Sequence, residues 1–242
     1  MHGNMVMAEV KIKFVATDVD GTLTLRRGVL LISLDAIRAI RELERHNIRV
    51  SLVSGNSVPV VAGLSRYIGA TGPSIAENGC VVFYEGEIYH LCEGRPSREL
   101  IEAIKKLGFK ESWQNIFRFH DVAFMALPGT VTMDEVEQAR RLAEKEGMRL
   151  LYSGYAIHIQ PPGGGKAVGV QKAAELLGVN LRSVAVVGDA PNDLDMFLPL
   201  FFKACPGDAD PEVKKRSDYV AAKPGGEGFA EIADYILNYL DS

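Results

Sequence analysis

Two acidic pairs that follow apolar segments are the residues best suited to chemistry in this chain. Asp18 and Asp20 come at the end of the apolar, β-branched segment 11–17, and residues two apart in extended backbone face the same side. Asp189 and Asp193 follow a second apolar run. Carboxylate oxygens are ligands that Mg²⁺ prefers, and a cation would relieve the repulsion among clustered acids. The spacing therefore predicts a magnesium site where the two segments meet.

Each acidic pair also has an ordinary structural explanation. Asp20-Gly21 is a common turn pair, and Asp189 could cap a short helix that includes Pro191 in its first turn. Two acidic segments at the carboxyl ends of strands in one parallel sheet are harder to explain as caps, because their charges would repel each other. The combination favours the metal site.

Two further segments are suited to binding an anion. Ser54-Gly55-Asn56 follows an apolar segment and precedes a predicted helix, so a hydroxyl, a glycine N–H and a helix N-terminus come together. Ser and Asn are also ordinary helix N-caps. Lys166 opens another predicted helix, where a lysine is unfavourable unless an anion is bound. The glycines before it do not form a nucleotide-binding phosphate loop, because Ala167 replaces the required Ser or Thr.

The elements that must position these residues alternate at both ends of the chain and change character in the middle. Strands at 11–17 and 48–53 alternate with helices at 33–46 and 58–68, as in βαβ units. The middle part predicts strands at 80–84, 87–91, 116–119, 122–127, 149–152 and 156–160, with helices at 97–107 and 132–146. The alternating pattern resumes with helices at 166–177, 191–198 and 227–240 and strands at 183–187, 201–204 and 219–220.

This organisation predicts an α/β fold with a Rossmann-like parallel sheet core, interrupted by an inserted α+β unit. We expect residues 1–10 to be a flexible leader, residues 11–87 and 159–242 to form the core, and residues 88–158 to form the insert. A parallel sheet brings the carboxyl ends of its strands to one edge, where open α/β sheets bind ligands. The acidic pairs and the anion-binding segments should therefore meet there.

Composition excludes several other classes of protein. The chain has 242 residues, 47% of them hydrophobic and 24% charged, which is typical of a globular protein of one or two domains. With 27 basic and 31 acidic residues, the net charge of −4 argues against a nucleic-acid partner. We find no apolar run long enough to span a membrane and no signal peptide, so no membrane partner is expected.

The three cysteines, Cys80, Cys92 and Cys205, have no CxxC spacing. We expect them to be small buried hydrophobic residues rather than part of a disulfide framework or a zinc site. This interpretation predicts a reducing, cytoplasmic location.

The motifs together resemble those of the haloacid dehalogenase-like (HAD) hydrolase superfamily. The segments that resemble its four motifs, in order, are Asp18-Val19-Asp20-Gly21-Thr22-Leu23, Ser54-Gly55-Asn56, Lys166 and Gly188-Asp189-Ala190-Pro191-Asn192-Asp193. The insert lies between the second and third motifs and follows Ala76-Glu77-Asn78-Gly79, which resembles the members with a type IIB cap. Asn56, where many members have Arg, together with Val58-Pro59-Val60 and the short cap, is similar to the archaeal phosphoglycolate phosphatases, relatives of sucrose-phosphate phosphatases.

The resemblance implies a Mg²⁺-dependent hydrolase of phosphomonoesters. Asp18 would be the nucleophile that forms an aspartyl phosphate, and Asp20 would protonate the leaving alcohol and then activate water. Mg²⁺ would be held by Asp18, by the backbone carbonyl of Asp20, by Asp189 and, directly or through water, by Asp193. The partner would be a small phosphorylated metabolite, with 2-phosphoglycolate as the first expected substrate.

The remaining roles also follow from the resemblance. The residues expected to bind the phosphoryl group or assist its binding are Thr22, Ser54, Gly55, Asn56, Lys166 and Asn192. The insert would act as a lid, and Arg118 or His120 at a hairpin tip could meet a substrate carboxylate. We interpret His46, His90 and His158 as surface or core residues, because they have no metal-ligand spacing.

Several alternatives share parts of this pattern. A sugar-phosphate phosphatase would use the same residues, and a phosphomutase would pass the phosphoryl group to a sugar instead of water. A non-catalytic binding scaffold is disfavoured, because Asp18, Asp20, Lys166 and Asp189 are all present. A phosphorylated receiver domain would not explain the insert or Lys166, and an ion pump would need membrane spans. A homodimer is compatible with the sequence, although no feature requires it.

Overall fold

The computed structural model describes residues 11–125, 131–154 and 156–240, which form an eight-stranded and a four-stranded sheet with flanking helices. The strands are β1 (Phe14–Asp18), β2 (Arg49–Val53), β3 (Ser74–Ala76), β4 (Val81–Tyr84), β5 (Glu87–His90), β6 (Lys110–Glu111), β7 (Val122–Met125), β8 (Arg149–Tyr152), β9 (Ala156–Gln160), β10 (Val184–Val187), β11 (Phe202–Cys205) and β12 (Tyr219–Val220). The α-helices are α1 (Leu34–Arg45), α2 (Val58–Ile68), α3 (Arg98–Lys106), α4 (Met133–Lys145), α5 (Lys166–Leu177), α6 (Pro211–Arg216) and α7 (Gly225–Tyr235).

The larger sheet has the strand order β12-β11-β10-β1-β2-β3-β4-β5. The six strands from β12 to β3 run parallel, and the β4–β5 hairpin continues the sheet in antiparallel fashion. Central β1 pairs with β10 on one side and with β2 on the other; Thr17 lies opposite Val187, and Asp18 opposite Val53. This register brings the segments that follow β1, β2 and β10 to one edge of the sheet, as the sequence predicts.

Apolar residues cover both faces of the larger sheet. Val15 belongs to a core that includes residues of α1, α2 and α7, while Phe14 and Ala16 face a second core that includes residues of α5. Strands buried on both faces require nearly continuous apolar runs, which explains the composition of β1 and β10. The side chain of Ser33 caps α1 by accepting hydrogen bonds from the backbone N–H groups of Asp35 and Ala36.

The smaller sheet has the order β6-β7-β9-β8 and its own apolar core, formed with residues of α3 and α4. The part of the chain from residue 91 to residue 160 carries this sheet and is called the insert below. Since β5 pairs in the larger sheet and β9 in the smaller one, the boundaries expected at residues 88 and 159 fall inside these two strands.

The strand predicted at 116–119 is wrong. The chain forms a short 3₁₀ helix at Trp113–Phe117, which Ser112 caps through its hydroxyl. The side-chain amide of Asn115 exchanges hydrogen bonds of 3.0 Å with the backbone N–H and C=O of Ala123. A side chain thus takes the place of a pairing strand beside β7, and the short β6, which the sequence analysis missed, pairs with β7 instead. Residues 126 and 127 of the predicted strand 122–127 lie outside the described residues.

The expectation for two of the three cysteines is also wrong. Cys80 and Cys92 form a disulfide, while Cys205 is buried with a free thiol. The bridge joins the residue before β4 to the first residues of the insert, and a side chain at Gly164 would collide with both sulfur atoms. A sequence separation of 12 residues corresponds to about 3 kcal/mol of loop-closure stabilisation. The pairing depends on two loops meeting in space, which spacing along the chain does not reveal.

Candidate active site

Three buried aspartates meet at the carboxyl edge of the larger sheet. Asp18 is the last residue of β1, whereas Asp189 and Asp193 lie in the segment that follows β10. One carboxylate oxygen of each lies within 4.8 Å of the others, and the three residues are at most 7% exposed. The acidic cluster expected from the sequence is therefore assembled by the parallel pairing of β1 with β10.

Lys166 is the cation at the centre of this cluster. It is the first residue of α5 and only 3% exposed, and its Nζ donates to Asp18 Oδ1 and to Asp193 Oδ1, each at 2.5 Å. Burial disfavours the charged amine, but the two carboxylates more than compensate and hold the pKa of Lys166 above its ordinary value. Lys166 thus stays protonated in the site.

The loop after β10 is closed by Asp193. Its Oδ2 accepts hydrogen bonds from the backbone N–H groups of Asp189, at 2.9 Å, and Ala190, at 3.0 Å. A side chain at Gly188 would collide with the Asp193 side chain, so only glycine fits there. Asp193 consequently uses one oxygen to hold the loop and the other to hold Lys166.

Asp189 has partners from the segment after β1. It accepts a hydrogen bond from the hydroxyl of Thr22 at 3.2 Å and pairs with Arg27 Nε at 2.9 Å. Gly21 has φ of +96°, and a side chain there would strike the Asp189 carboxylate. Gly21 therefore allows both the turn after β1 and the close packing of this turn against the Asp189 carboxylate. The contribution of Arg27 was missed by the sequence analysis.

Burial and the neighbouring carboxylates disfavour the ionised forms of Asp18, Asp20 and Asp189. Burial, followed by the neighbouring Asp193, raises the pKa of Asp18 well above its ordinary value, although Lys166 opposes the shift. Burial and Asp193 also raise the pKa of Asp189, from an ordinary 3.8 to about 7. Asp20 has a more exposed side chain, yet the walls of the cleft exclude enough water to raise its pKa too.

A hard cation fits this donor set. The cluster offers carboxylate oxygens from Asp18, Asp189 and Asp193 at mutual distances that one ion can bridge. Burial and the repulsion from Asp193 raise the pKa values of Asp18 and Asp189 even though Lys166 and Arg27 lie nearby. A divalent cation would remove the remaining repulsion.

The raised pKa of Asp189 predicts how the stability of the metal-free protein depends on pH. Between 3.8 and about 7, Asp189 binds more protons in the folded state than in the unfolded state, so stability falls as the pH rises through this interval. We expect the Tm measured in chelator to decrease from about pH 5 to about pH 8, and Mg²⁺ to raise it most at the upper end. Carboxyls with lowered pKa values, such as Asp121, titrate below this interval.

Differential scanning fluorimetry of wild type and Asp189→Asn tests the prediction. The variant should lose the part of the pH slope that Asp189 contributes, while Asp18 and Asp20, whose pKa values are also raised, still titrate. A wild-type Tm in chelator that stays flat or rises across the interval would show that burial does not raise the pKa of Asp189.

The second motif lies next to the acidic cluster, at the end of β2. Ser54 is 2% exposed, and its Oγ accepts hydrogen bonds from the backbone N–H of Asn56 at 3.1 Å and from the Asn56 side chain at 2.9 Å. Gly55 is packed beneath two side chains, since a Cβ there would lie 3.0 Å from His158 Cε1 and 3.1 Å from the Asn78 amide. The segment thus places the Ser54 hydroxyl and the backbone N–H of Gly55 just before α2.

The insert contacts the core through two hydrogen-bonded groups that the sequence analysis did not identify as contacts. Gln114 Nε2 donates to Asn56 Oδ1 at 2.7 Å, and Gln114 Oε1 accepts from the N–H and the hydroxyl of Ser57. The carboxylate of Glu77, which is fully buried, accepts the backbone N–H groups of residues 119, 120 and 121 at 2.8–3.0 Å. The insert is therefore seated over the second motif.

Other predicted site residues occupy less direct positions. Asn192 is half-buried in the 3₁₀ helix Pro191–Met196, and its side chain makes no hydrogen bond within the described part of the chain. Arg118 is buried and paired with Asp121, whereas His120 is half-buried and hydrogen-bonded to the carbonyl of Gly94. Neither of the two candidate carboxylate contacts is therefore free in this arrangement.

His158 faces the site, contrary to our interpretation of it as a surface or core residue. Along β9, Ile157 and Ile159 are fully buried in the core of the insert, and His158 alternates with them onto the opposite face. Its ring reaches the space above Gly55. The period-two pattern of β9 was the sequence signal that could have indicated this orientation.

Comparison with known proteins identifies the class to which this arrangement belongs. The family model for haloacid dehalogenase-like hydrolase matches residues 15–146 and 130–232. The chain therefore belongs to the haloacid dehalogenase-like hydrolases, and its relatives indicate phosphatase activity.

Individual relatives are similar over nearly the whole chain. A phosphoglycolate phosphatase of Aeropyrum pernix is 41% identical over 226 residues, covering 93% of this chain and 94% of the relative. A phosphoglycolate phosphatase of Metallosphaera sedula is 38% identical and covers 94% of this chain and 100% of the relative. A crystal structure from Thermoplasma acidophilum superposes with a TM-score of 0.84 at 34% identity, covering 94% of this chain and 99% of that one.

Proposed function

We propose that this protein is a metal-dependent phosphatase that hydrolyses 2-phosphoglycolate through an aspartyl-phosphate intermediate. The observation that carries the mechanism is the position of Asp18: its carboxylate lies 2.5 Å from a buried lysine and beside two further buried aspartates. A nucleophile for phosphorus thus sits where positive charge can gather around a phosphoryl group. The substrate is proposed from the names of the relatives.

We propose Mg²⁺ as the metal. Asp18, Asp189 and Asp193, with the backbone carbonyl of Asp20, would hold it. When bound, the ion supplies positive charge that neutralises the phosphoryl oxygens and shields them from the attacking carboxylate.

Asp18 and Asp20 divide the covalent chemistry. Asp18 attacks phosphorus as the bond from phosphorus to the leaving oxygen breaks, and Asp20 gives that oxygen its proton. Water then attacks the phosphorus of the aspartyl phosphate while Asp20 takes a proton from it, so phosphate leaves and Asp18 is regenerated. The raised pKa of Asp20 supports this role, because an acid that keeps its proton closer to neutral pH is a better donor.

The phosphoryl oxygens have several donors within the same edge of the sheet. Lys166 supplies a fixed positive charge, and Ser54 supplies a hydroxyl. The backbone N–H of Gly55 lies just before α2, where a helix N-terminus favours an anion, whereas the N–H of Asn56 donates to Ser54 Oγ in this arrangement. We propose that Thr22 acts by orienting Asp189 and that Asn192 contacts the phosphoryl group only when substrate is bound.

The insert is proposed to be a lid over this site. Its contacts through Gln114 and Glu77 correspond to a closed arrangement, and closure would exclude water other than the attacking molecule. The limits of the two units are proposed to be the ends of β5 and β9 rather than residues 88 and 159.

A panel of phosphomonoesters tests the proposal. We expect phosphate release from 2-phosphoglycolate with Mg²⁺, none in chelator, and a higher kcat/KM than for sugar phosphates, phosphoglycerates or an aryl phosphate. A higher kcat/KM for a sugar phosphate would replace the substrate but keep the mechanism. Interconversion of phosphorylated sugars without phosphate release would identify a phosphomutase and overturn the hydrolase assignment.

The cellular location is a separate proposal. No helix in the part of the chain described by the structure is long and apolar enough to cross a membrane. We propose the cytoplasm, because a small phosphorylated metabolite is the proposed substrate. Cys80 and Cys92 are joined in a disulfide, so the cysteines do not support a reducing compartment.

A further inference from the structure

Two buried ionisable side chains and one half-buried histidine of the insert form a hydrogen-bonded chain that the proposed mechanism does not use. The Arg118 guanidinium pairs with Asp121 Oδ1, and the side chains of the two residues are 1% and 0% exposed. Asp121 Oδ2 lies 2.8 Å from Nδ1 of His158, whose side chain is 13% exposed. The arrangement leads from the interior of the insert to the face that covers the core.

The outer end of this chain lies at the second motif. The His158 ring carbon Cε1 is 3.0 Å from the point that a Cβ of Gly55 would occupy, and the Asn78 amide is 3.1 Å from the same point. Gly55 is the residue next to Ser54, in the segment proposed to hold the phosphoryl group. A group attached to that phosphoryl group therefore passes close to His158 and Asn78.

Asn78 supplies a second, independent indication of a ligand. It is 4% exposed, and its Nδ2 has no hydrogen-bond partner within the described part of the chain. The residue lies in the left-handed region with φ of +51°, a conformation that asparagine adopts more readily than most other residues. A buried amide donor without a partner is unfavourable unless a ligand accepts its hydrogen bond.

The hydrogen bonding of Asp121 determines which atom of His158 is offered to a ligand. Although burial opposes it, the charges of Arg118 and His158 hold the pKa of Asp121 below its ordinary value, so its carboxylate accepts and Nδ1 donates. Nε2 is then the ring nitrogen left for the cleft, and in the protonated ring it is a donor with positive charge. A positive donor beside a neutral amide donor suits a carboxylate.

We propose that His158 is a specificity-determining residue that binds the carboxylate of a short phosphoryloxy acid, with the Asn78 amide as second donor. Asp121, held by Arg118, is the positioning residue that aims the ring. The inference rests on the proposed phosphatase function and names the part of the site that selects its substrate class. A short acid is required because His158 and Asn78 lie directly over the residue next to Ser54.

The test compares two substrates that differ in the carboxylate. Ethyl phosphate replaces the carboxylate of 2-phosphoglycolate with a methyl group. We expect His158→Gln to lower the ratio of kcat/KM for 2-phosphoglycolate to kcat/KM for ethyl phosphate by about 10- to 100-fold, the value of one charge-assisted hydrogen bond, mainly through a higher KM. Asp121→Asn should lower the ratio in the same direction and also through KM.

A binding measurement separates recognition from turnover. Calorimetry with 3-phosphonopropionate, which keeps the carboxylate but cannot be hydrolysed, and with propylphosphonate, which lacks it, should show a carboxylate preference in wild type that is lost in His158→Gln. His46→Gln is the matched control, because His46 is an exposed residue at the end of α1, and it should keep the wild-type preference.

The outcomes distinguish the two proposals. A wild-type enzyme that hydrolyses phosphomonoesters without preferring 2-phosphoglycolate overturns the proposed substrate and, with it, the role of His158. A wild-type preference that survives in His158→Gln overturns the role of His158 alone. An equal loss for both substrates assigns His158 to the phosphoryl group and likewise overturns its role in specificity.

Discussion

Asp18→Asn is expected to lower kcat for phosphate release by at least about 10⁴-fold while leaving the protein folded. The variant keeps the size of the side chain but loses the charged oxygen that attacks phosphorus. Since burial and Asp193 raise the pKa of Asp18, the site tolerates a neutral residue there, and we expect the Tm in chelator to equal or exceed that of wild type. Steady-state kinetics with Mg²⁺ and thermal unfolding in chelator measure the two effects.

Asp234→Asn is the matched control for this experiment. Asp234 is an exposed acid on α7, so its replacement removes the same charge without touching the site. Its kcat and Tm should match those of wild type. An Asp18→Asn variant with more than about one hundredth of the wild-type kcat would mean that Asp18 is not the nucleophile.

Lys166→Met has the second largest expected effect, on both stability and activity. The variant leaves the carboxylates of Asp18 and Asp193 buried without their shared cation, which costs about 3–5 kcal/mol when one partner of a buried ion pair is removed. Activity should fall sharply, because the phosphoryl oxygens lose a fixed positive charge. Chemical unfolding in chelator near neutral pH measures the loss of stability, and Mg²⁺ should restore part of it.

A double-mutant cycle with Asp18→Asn makes this prediction specific. The destabilisation by Lys166→Met should be smaller in the Asp18→Asn background, since one of the two unpaired charges is then absent. Lys172→Met on the same helix is the control; Lys172 pairs with Glu175 near the surface and should contribute about 1 kcal/mol or less. Equal destabilisation in both backgrounds would show that Lys166 acts through packing rather than through its charge.

The parallel core was predictable because each of its strands carries a local signature. β1 and β10 are apolar on both faces; β1 ends in an acidic residue and β10 is followed by one, while α1 and α2 begin and end close to the predicted residues. Caps also agree with local chemistry, as in the reciprocal hydrogen bonds of Thr132 and Glu135 at the start of α4. These signals act within a few residues along the chain, so the sequence contains them in readable form.

The insert was less predictable, because its contacts are made by single side chains. Asn115 takes the place of a strand beside β7, and Glu77 accepts three backbone N–H groups from the loop at 119–121. Such groups look like ordinary polar residues in the sequence. The pairing of Cys80 with Cys92 likewise requires two loops to meet.

The sequence by itself determined the chemistry that this protein carries: the acids at two strand ends, the lysine at the start of a helix and the order in which they occur. Local residue types and periodicity contain that information, because strand ends and helix starts are set by near neighbours. Only the tertiary structure decided how Arg118, Asp121 and His158 are connected and that His158 faces Gly55. Those contacts join residues far apart in the chain, and their geometry depends on how the insert packs onto the core.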